Sequence, residues 1–351
     1  MTIELFIISL AIVFAVCFAW AFNRLPRERW QMIAAVPTVK SESGDWRGMN
    51  LTFYGFFQAT ANVFAVGTVF FLLGAINIPA IYTFVLISSI LVVCWPSSRW
   101  IARAVEKKTY TFTIGGAIFV GAIVTPWLIH LINATVGEWL GGRLPIIPAV
   151  AAGAIAYAFG EGIGRLACIS FGCCYGKNIE RLSPRLRRVF ESISFTFVGA
   201  TRKAVYEGGL EGARVVPIQA ITSCIMTLTA LIGVYLFLNA HYAAAMVSVA
   251  TATQVWRFVS EMLRADVRGN AKKVTSYQVM ALLLIIYVVG LAVFSTVEAS
   301  PAANIAAGLR SLWDPAVLLF CQAAWLAIFL YTGRSMVTGA TLSFFVHKER
   351  V

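Results

Sequence analysis

Long apolar runs separated by short polar connections make up most of this chain. A run of about 20 apolar residues is long enough to cross the hydrocarbon core of a bilayer as a helix. We predict such helices at nine places, near 2–23, 51–75, 78–98, 112–134, 147–171, 216–238, 241–263, 275–296 and 314–333. The pattern therefore predicts an all-α polytopic membrane protein with roughly seven to nine transmembrane helices, in a single transmembrane domain over residues 1–351.

Basic residues cluster after alternate helices of this series. They follow the first, third, fifth and seventh runs, whereas the connections near 76–78 and 239–242 carry no Lys or Arg. The alternation supports the helix count and places all basic loops on one face of the membrane. Because Lys and Arg are enriched in cytoplasmic loops, that face is predicted to be cytoplasmic, with the N-terminus outside.

The longest stretch without an apolar run lies at 173–215. Loops of this length in compact proteins are usually functional or disordered. Within it, Ser192–Phe197 alternates between polar and apolar residues in the manner of a short strand. We predict a small extramembrane cap at 173–215 that contains a little β-structure.

Composition agrees with a membrane location. Apolar residues make up 59% of the chain and charged residues only 13%, and the mean hydropathy is +0.79. The net charge of +12 is spread over loops between apolar helices, and no nucleic-acid motif accompanies it. Such loops report topology or attraction to anionic lipid headgroups, so we predict no nucleic-acid partner.

The segment from Gly164 to Gly176 is the most informative part of the sequence. Arg165 lies inside an apolar run, where an arginine costs a few kcal/mol unless it has a partner or a use. Glu161 stands one helical turn before it, so the two are expected to form an ion pair or part of a binding site. Glycines at both ends of the segment allow the backbone to approach a ligand or another helix closely.

A second charged segment follows near the end of the seventh run. Arg257, Glu261, Arg264 and Arg268 have the spacing of residues on one helix face. One interpretation is a helix end whose arginines extend to the headgroups. The other is an arginine wall for a phosphate, in which Glu261 orients Arg257, since the planar guanidinium donates paired hydrogen bonds. Because both charged segments end on the same membrane face, their arginines can converge on one anionic ligand.

The cysteines divide into two groups. Cys17, Cys94, Cys224 and Cys321 lie inside apolar runs and are expected to be packing residues. For the other group, close packing, a cysteine nucleophile beside arginines, a metal site and a redox pair all stay open. The sequence spacing is poor for zinc and no fourth ligand is near, so we predict no metal and no cofactor. This group consists of Cys168, Cys173 and Cys174.

Four segments, in order along residues 110–270, resemble motifs of one family. Gly164–Gly176 resembles the central motif of the prolipoprotein diacylglyceryl transferase (Lgt) superfamily, and Gly-Cys-Cys-Tyr-Gly-Lys at 172–177 resembles its divergent Lgt-like branch. Ile114-Gly115-Gly116 resembles the family's His-Gly-Gly loop, and Pro217-Ile218-Gln219 its His-Pro-x-Gln segment. Arg257 through Arg264 resembles its Arg-Phe-x-x-Glu-x-x-Arg segment. The resemblance implies a transferase that moves a diacylglyceryl group from phosphatidylglycerol to an acceptor in the bacterial cytoplasmic (inner) membrane.

The resemblance also implies roles for individual residues. Arg165 and Arg257 would bind the donor phosphate and Glu261 would position Arg257. Glu161 and Tyr175 are candidate catalytic bases, and Glu207 is a further one. The partners implied are phosphatidylglycerol or another anionic phospholipid and an unknown acceptor, and we expect a monomer. Substrate-binding positions would be Gly115, Gly116, Gly164, Gly172, Gln219, Arg264 and Arg268.

Several positions depart from the family's pattern. Ile114 stands where the family has histidine, and Cys168, Phe171 and Cys173 stand where it has two asparagines and a glutamate. The changes affect the half of the site that activates an acceptor, while the phosphate-binding half is kept. Two hypotheses follow: a transferase whose acceptor is not the usual lipoprotein cysteine, or a non-catalytic protein that binds or transports phospholipid. The family's site faces the outer side of the membrane, whereas the basic loops place this one inside, so sidedness stays open.

Overall fold

The computed structural model describes residues 2–106, 113–265, 274–295 and 302–351. Most of these residues are helical. The α-helices in these ranges are α1 (Ile3–Arg24), α2 (Phe53–Ala75), α3 (Ala80–Glu106), α4 (Ile114–Ile132), α5 (Glu138–Leu140), α6 (Ile146–Phe171), α7 (Pro184–Phe190), α8 (Lys203–Tyr206), α9 (Ile218–Leu238), α10 (Tyr242–Leu263), α11 (Ser276–Phe294), α12 (Ile305–Leu312) and α13 (Pro315–Thr332).

Each of the nine predicted apolar runs forms a long helix. Over the described residues, 8 of these helices are long and apolar enough to cross a membrane. The ninth, α10, has 22 residues but is more polar, because it carries Thr253, Gln254, Arg257 and Glu261. The prediction of an all-α polytopic membrane protein is confirmed, and the polar helix is the one that bears the second charged segment.

Helix α6 lies at the centre of the bundle. It packs against α2, α9 and α10 and touches α4. Within its most apolar stretch 72% of the residues are buried, the largest share among the candidate membrane-spanning helices. Small residues allow this close approach, since a Cβ on Gly162 would meet Thr227 Oγ1 at 2.6 Å and one on Gly160 would meet Ala65 Cβ at 3.2 Å. Polar side chains on α6 are therefore held in the middle of the helical packing.

Three strands form a sheet that the hydrophobic pattern did not predict. The described residues contain five strands in all, β1 (Met32–Lys40), β2 (Trp46–Thr52), β3 (Phe195–Thr196), β4 (Arg214–Val215) and β5 (Arg334–Leu342). Antiparallel β1, β2 and β5 pair in that order, so residues after α1 join residues after α13. Seven of the nine β1 positions are exposed in a pattern without alternation, which explains why period-two patterning gave no signal here.

The predicted cap at 173–215 does contain short β-structure. Phe195–Thr196 pairs with Arg214–Val215 in antiparallel register, within the alternating stretch that the sequence singled out. The short helices α7 and α8 complete the cap. A small apolar cluster of Ile179, Phe190, Val216 and Ile218 joins the cap to the start of α9.

Candidate functional site

Three polar residues of α6 lie on one face of that helix. Tyr157, Glu161 and Arg165 are separated by four residues each, which places them one above another. Arg165 Nη2 donates to Glu161 Oε1 in an ion pair, and the Glu161 side chain is only 2% exposed. The second carboxylate oxygen of Glu161 and Nε of Arg165 have no hydrogen-bond partner among the described residues. The ion pair predicted from the spacing is confirmed, and it keeps polar atoms available for a further contact.

Arg257 on α10 reaches the same face of α6. Its Nη1 donates a hydrogen bond to Tyr157 Oη at 3.1 Å. A phenol from another helix therefore helps to hold Arg257, a contact that the sequence did not predict. Glu261 lies one turn further along α10, and its predicted role stays a prediction.

The N-terminus of α4 approaches Arg257 closely. A Cβ built on Gly115 would lie 2.4 Å from Arg257 Nη2 and 3.0 Å from Tyr277 Cδ1. Only a glycine fits at this position with the guanidinium where it is. The structure thus brings predicted residue Gly115 to Arg257. Its neighbour Gly116 faces Ile101 instead, where a Cβ would lie 2.7 Å from Cγ2, so Gly116 allows helix packing.

The chain reverses direction directly after α6. Gly172 ends the helix in the left-handed conformation at φ +72°, and Cys174 follows with φ +52°, which is uncommon for a residue with a Cβ. Gln219 Nε2 donates to the carbonyl of Cys173 at 2.8 Å and holds the turn from the start of α9. Predicted residues Gly172 and Gln219 therefore shape this loop.

The reversal brings the three central cysteines together. The sulfur atoms of Cys168, Cys173 and Cys174 all lie within 4.8 Å of one another, and Cys168 Sγ lies 3.8 Å from Cys174 Sγ. All seven cysteines of the chain are free thiols in this structure. The same loop then pairs with the end of α10, because Lys177 N donates to Leu263 O at 3.0 Å and Ala265 N donates to Tyr175 O at 3.1 Å. Arg264 is thereby placed opposite Gly176 and near the thiols.

The remaining predicted residues lie at the edges of this arrangement. Tyr175 is buried against Gly208 in the cap, where an added Cβ would lie 2.9 Å from the phenol oxygen. Glu207 pairs with Lys203 at 3.5 Å. Gly164 faces α2 at an ordinary packing distance, since a Cβ there would lie 3.7 Å from Ala61 Cβ. Arg268 lies outside the described residues.

Sequence reasoning missed two tyrosines of the site. Tyr157 fixes Arg257, and Tyr54 on α2 packs edge-on against Phe171 with ring centroids 5.8 Å apart, in electrostatic contact with the three thiols and Arg165. Tyr157 stands four residues before Glu161, and that spacing was the one available signal. No sequence signal links Tyr54 to α6, because the contact depends on how α2 packs.

Arg202 is a third residue that the sequence did not single out. It is fully buried, and its guanidinium donates to the carbonyl oxygens of Ile169, Ser170, Leu25 and Arg27. Burial lowers the pKa of Arg202 to about 10. Cations at a helix C-terminus are stabilised by its unpaired carbonyl groups. Arg202 therefore closes the end of α6 and ties it to the segment after α1.

A separate cavity of about 690 Å³ lies near the other end of α6. It is lined by His130, Asn133, Glu138 and Arg143 and reaches Ile146. Arg165 is 19 residues further along the helix, or roughly 28 Å at 1.5 Å per residue. The cavity is therefore distinct from the arginine site, the group formed by Arg165, Arg257, Glu161 and Tyr157.

No protein-family model, curated protein or solved structure matches this chain. The resemblance to the diacylglyceryl transferase superfamily accordingly rests on its four short motifs and on the residues that they bring together.

Proposed function

We propose that this chain is a membrane-embedded transferase that moves a diacylglyceryl or related glycerolipid group from a phosphatidylglycerol-like donor to an acceptor other than the usual lipoprotein cysteine. In such a reaction the acceptor forms a bond to the glycerolipid carbon, the bond from that carbon to the phosphate oxygen breaks, and glycerol phosphate leaves. The acceptor's proton passes to a base. The expected location is the bacterial cytoplasmic membrane.

The observation that carries this proposal is the convergence of Arg165 and Arg257 around Glu161 and Tyr157. Two guanidinium groups are held inside the helical bundle with one carboxylate bonded to the first and one phenol bonded to the second. A buried cation is costly unless it is compensated, and the phosphate of an anionic lipid supplies the compensating charge. Fixed arginines also stabilise the charge that develops on a leaving phosphate in a site of low dielectric constant.

The positions of the candidate bases favour Glu161 for accepting the proton. Its Oε2 atom is buried without a hydrogen-bond partner among the described residues, and it belongs to the same helix face as both arginine contacts. Tyr175 packs in the cap, and Glu207 is paired with Lys203. A general base must lie within hydrogen-bond reach of the proton that it takes, and Glu161 is the candidate base bonded directly to one of the two arginines.

One observation favours the non-catalytic alternative, a phospholipid-binding or transport protein. Ile114 precedes Gly115 beside Arg257, so the position where the resembled family has a histidine offers no titratable group. In this alternative the arginines bind the headgroup and no acceptor is activated.

Incubation of the purified protein in lipid nanodiscs with phosphatidylglycerol labelled in its headgroup glycerol separates the two functions. The transferase releases labelled glycerol phosphate when a competent acceptor is present, whereas a binding protein retains labelled lipid and releases none. Arg165→Ala and Arg257→Ala are expected to abolish turnover and weaken lipid binding. Arg188→Ala serves as the matched control, because Arg188 is exposed in α7 on the same basic face. Unchanged turnover in both site variants would place the donor elsewhere.

A further inference from the structure

The three cysteines after Arg165 form a cluster that the proposed transfer reaction does not use. Cys168 lies in the last turn of α6, and the left-handed residues Gly172 and Cys174 fold the loop back onto it. Gln219 fixes the carbonyl of Cys173. Cys174 therefore adopts a backbone conformation that is unfavourable for a residue with a Cβ, and such conformations commonly persist at functional sites. This conformation brings the three sulfur atoms together.

The separation of two of the sulfurs matches that of a metal–thiolate centre, and the third sulfur lies within 4.8 Å of both. Zinc–sulfur bonds of about 2.3 Å in tetrahedral geometry put two sulfur ligands roughly 3.8 Å apart, by simple trigonometry. Cys168 Sγ and Cys174 Sγ are separated by 3.8 Å, and all three sulfurs fall within 4.8 Å. A disulfide has its sulfurs about 2.05 Å apart, so these thiols are not bonded in a pair.

The charges around the cluster also suit bound thiolates. Arg165 and Arg264 both lie close enough to interact electrostatically with the sulfurs. Three thiolates and one divalent ion carry a net charge of −1, and with a monovalent ion −2, so one or two neighbouring guanidinium groups balance the centre. Tyr54 of α2 also lies close enough to interact electrostatically with the cluster, and it packs edge-on against Phe171 of α6.

We propose that Cys168, Cys173 and Cys174 bind one thiophilic ion of closed d-shell, Zn²⁺ or Cu⁺, through three sulfur ligands. Each thiol releases its proton on binding. Three sulfur ligands complete a trigonal site for Cu⁺, whereas for Zn²⁺ they leave a fourth position open for a water molecule or a ligand. This inference is independent of the proposed lipid chemistry.

The test uses the full-length protein, purified anaerobically in detergent with a thiol-free reductant. Metal content by mass spectrometry, followed by titration of the metal-free protein with Zn²⁺, Cu⁺ or the spectroscopic substitute Co²⁺, is expected to show one ion per chain. Co²⁺ should give a thiolate-to-metal charge-transfer band in the near ultraviolet. Cys168→Ser and Cys174→Ser should each remove the band, while Cys224→Ser, which replaces an exposed cysteine of α9, should keep it.

Reaction with a thiol reagent provides a second measurement that does not depend on the variants. In the wild-type protein the ion should protect three thiols, and a chelator should restore their reactivity. Size-exclusion profiles of each variant establish that it is folded. The proposal is overturned if the wild-type protein binds no ion while all its thiols react, if the serine variants bind as the control does, or if intact mass shows that two of the three cysteines have lost their hydrogens to a disulfide.

Discussion

The guanidinium of Arg257 donates a hydrogen bond to the phenol oxygen of Tyr157 at 3.1 Å, and this contact joins α10 to α6 one turn before Glu161. Helix α10 is the most polar of the nine long helices, and α6 is the most deeply packed of the candidate spans. The contact thus places a charge from the polar helix against the centre of the bundle. Through this hydrogen bond α10 contributes the Arg257 guanidinium to the site.

Replacing Tyr157 with Phe removes this hydrogen bond and keeps the ring. A hydrogen bond to a charged group typically contributes about 1.5–3 kcal/mol, so the conformation of Arg257 that the structure shows should be less stable by about that amount. We expect phospholipid binding to weaken by roughly tenfold or more, since about 1.4 kcal/mol corresponds to a factor of ten. The affinity for labelled phosphatidylglycerol, measured with the protein in nanodiscs, tests this expectation. Tyr287→Phe is the control, because Tyr287 Oη donates to Ile123 O at 3.1 Å between α11 and α4. An equal loss in both variants would contradict a specific role for Tyr157.

Glu161→Gln tests whether the carboxylate acts in proton transfer or only pairs with Arg165. The variant leaves both guanidinium groups without their buried anion, so an anionic lipid should bind at least as tightly as before. Release of glycerol phosphate should fall steeply, because the amide cannot accept the acceptor's proton.

Glu191→Gln is the matched control for that variant. Glu191 accepts from Arg187 at 3.1 Å with the same i, i+4 spacing, but both side chains are more than 40% exposed. Its loss should change neither binding nor turnover. Glycerol phosphate release at the wild-type rate in Glu161→Gln would exclude Glu161 as the base.

Arg202→Met should destabilise the protein without touching the arginine site. The substitution removes the side-chain donor from the carbonyl groups of Ser170, at the end of α6, and Leu25, after α1, at a cost of about 1–3 kcal/mol for each unsatisfied group. We expect a clear fall in the temperature of thermal unfolding in detergent. Arg202→Lys should recover only part of it, because one ammonium cannot reproduce the planar fork of a guanidinium. Arg188→Met, in exposed α7, should leave the unfolding temperature unchanged.

The helices of this fold follow from the sequence, because nine apolar runs of sufficient length leave few alternatives. The sheet of β1, β2 and β5 does not. β2 ends at Thr52 whereas its partner β5 begins only at Arg334, and β1 has no apolar alternation, so pairing such as that of Arg47 with Thr341 depends on where α1 and α13 end.

The charges of the candidate site and the ion pair within α6 were predictable from the sequence, whereas the contacts between helices were not. Regular spacing on one helix identified the pair of Glu161 and Arg165. The partner of Arg257 comes from another helix, and the convergence of the cysteines depends on two left-handed residues that reverse the chain. The spacing of the three cysteines along the sequence is poor for zinc, and it does not reveal this reversal of the chain.

Gly115→Ala adds one methyl group at the point where α4 meets Arg257. The new Cβ would lie 2.4 Å from Nη2, below the range of real contacts, so the guanidinium must move away from Gly115. Because Arg257 ends a flexible side chain, we expect the fold to tolerate this shift while phospholipid binding declines. Gly153→Ala, at a position of α6 with nothing within 4 Å of the new Cβ, is the control and should bind lipid as the wild type does. The temperature of thermal unfolding of both variants distinguishes a loss of lipid binding from a loss of fold stability. If Gly115→Ala binds phosphatidylglycerol with unchanged affinity, the headgroup does not contact the Arg257 guanidinium where the structure holds it.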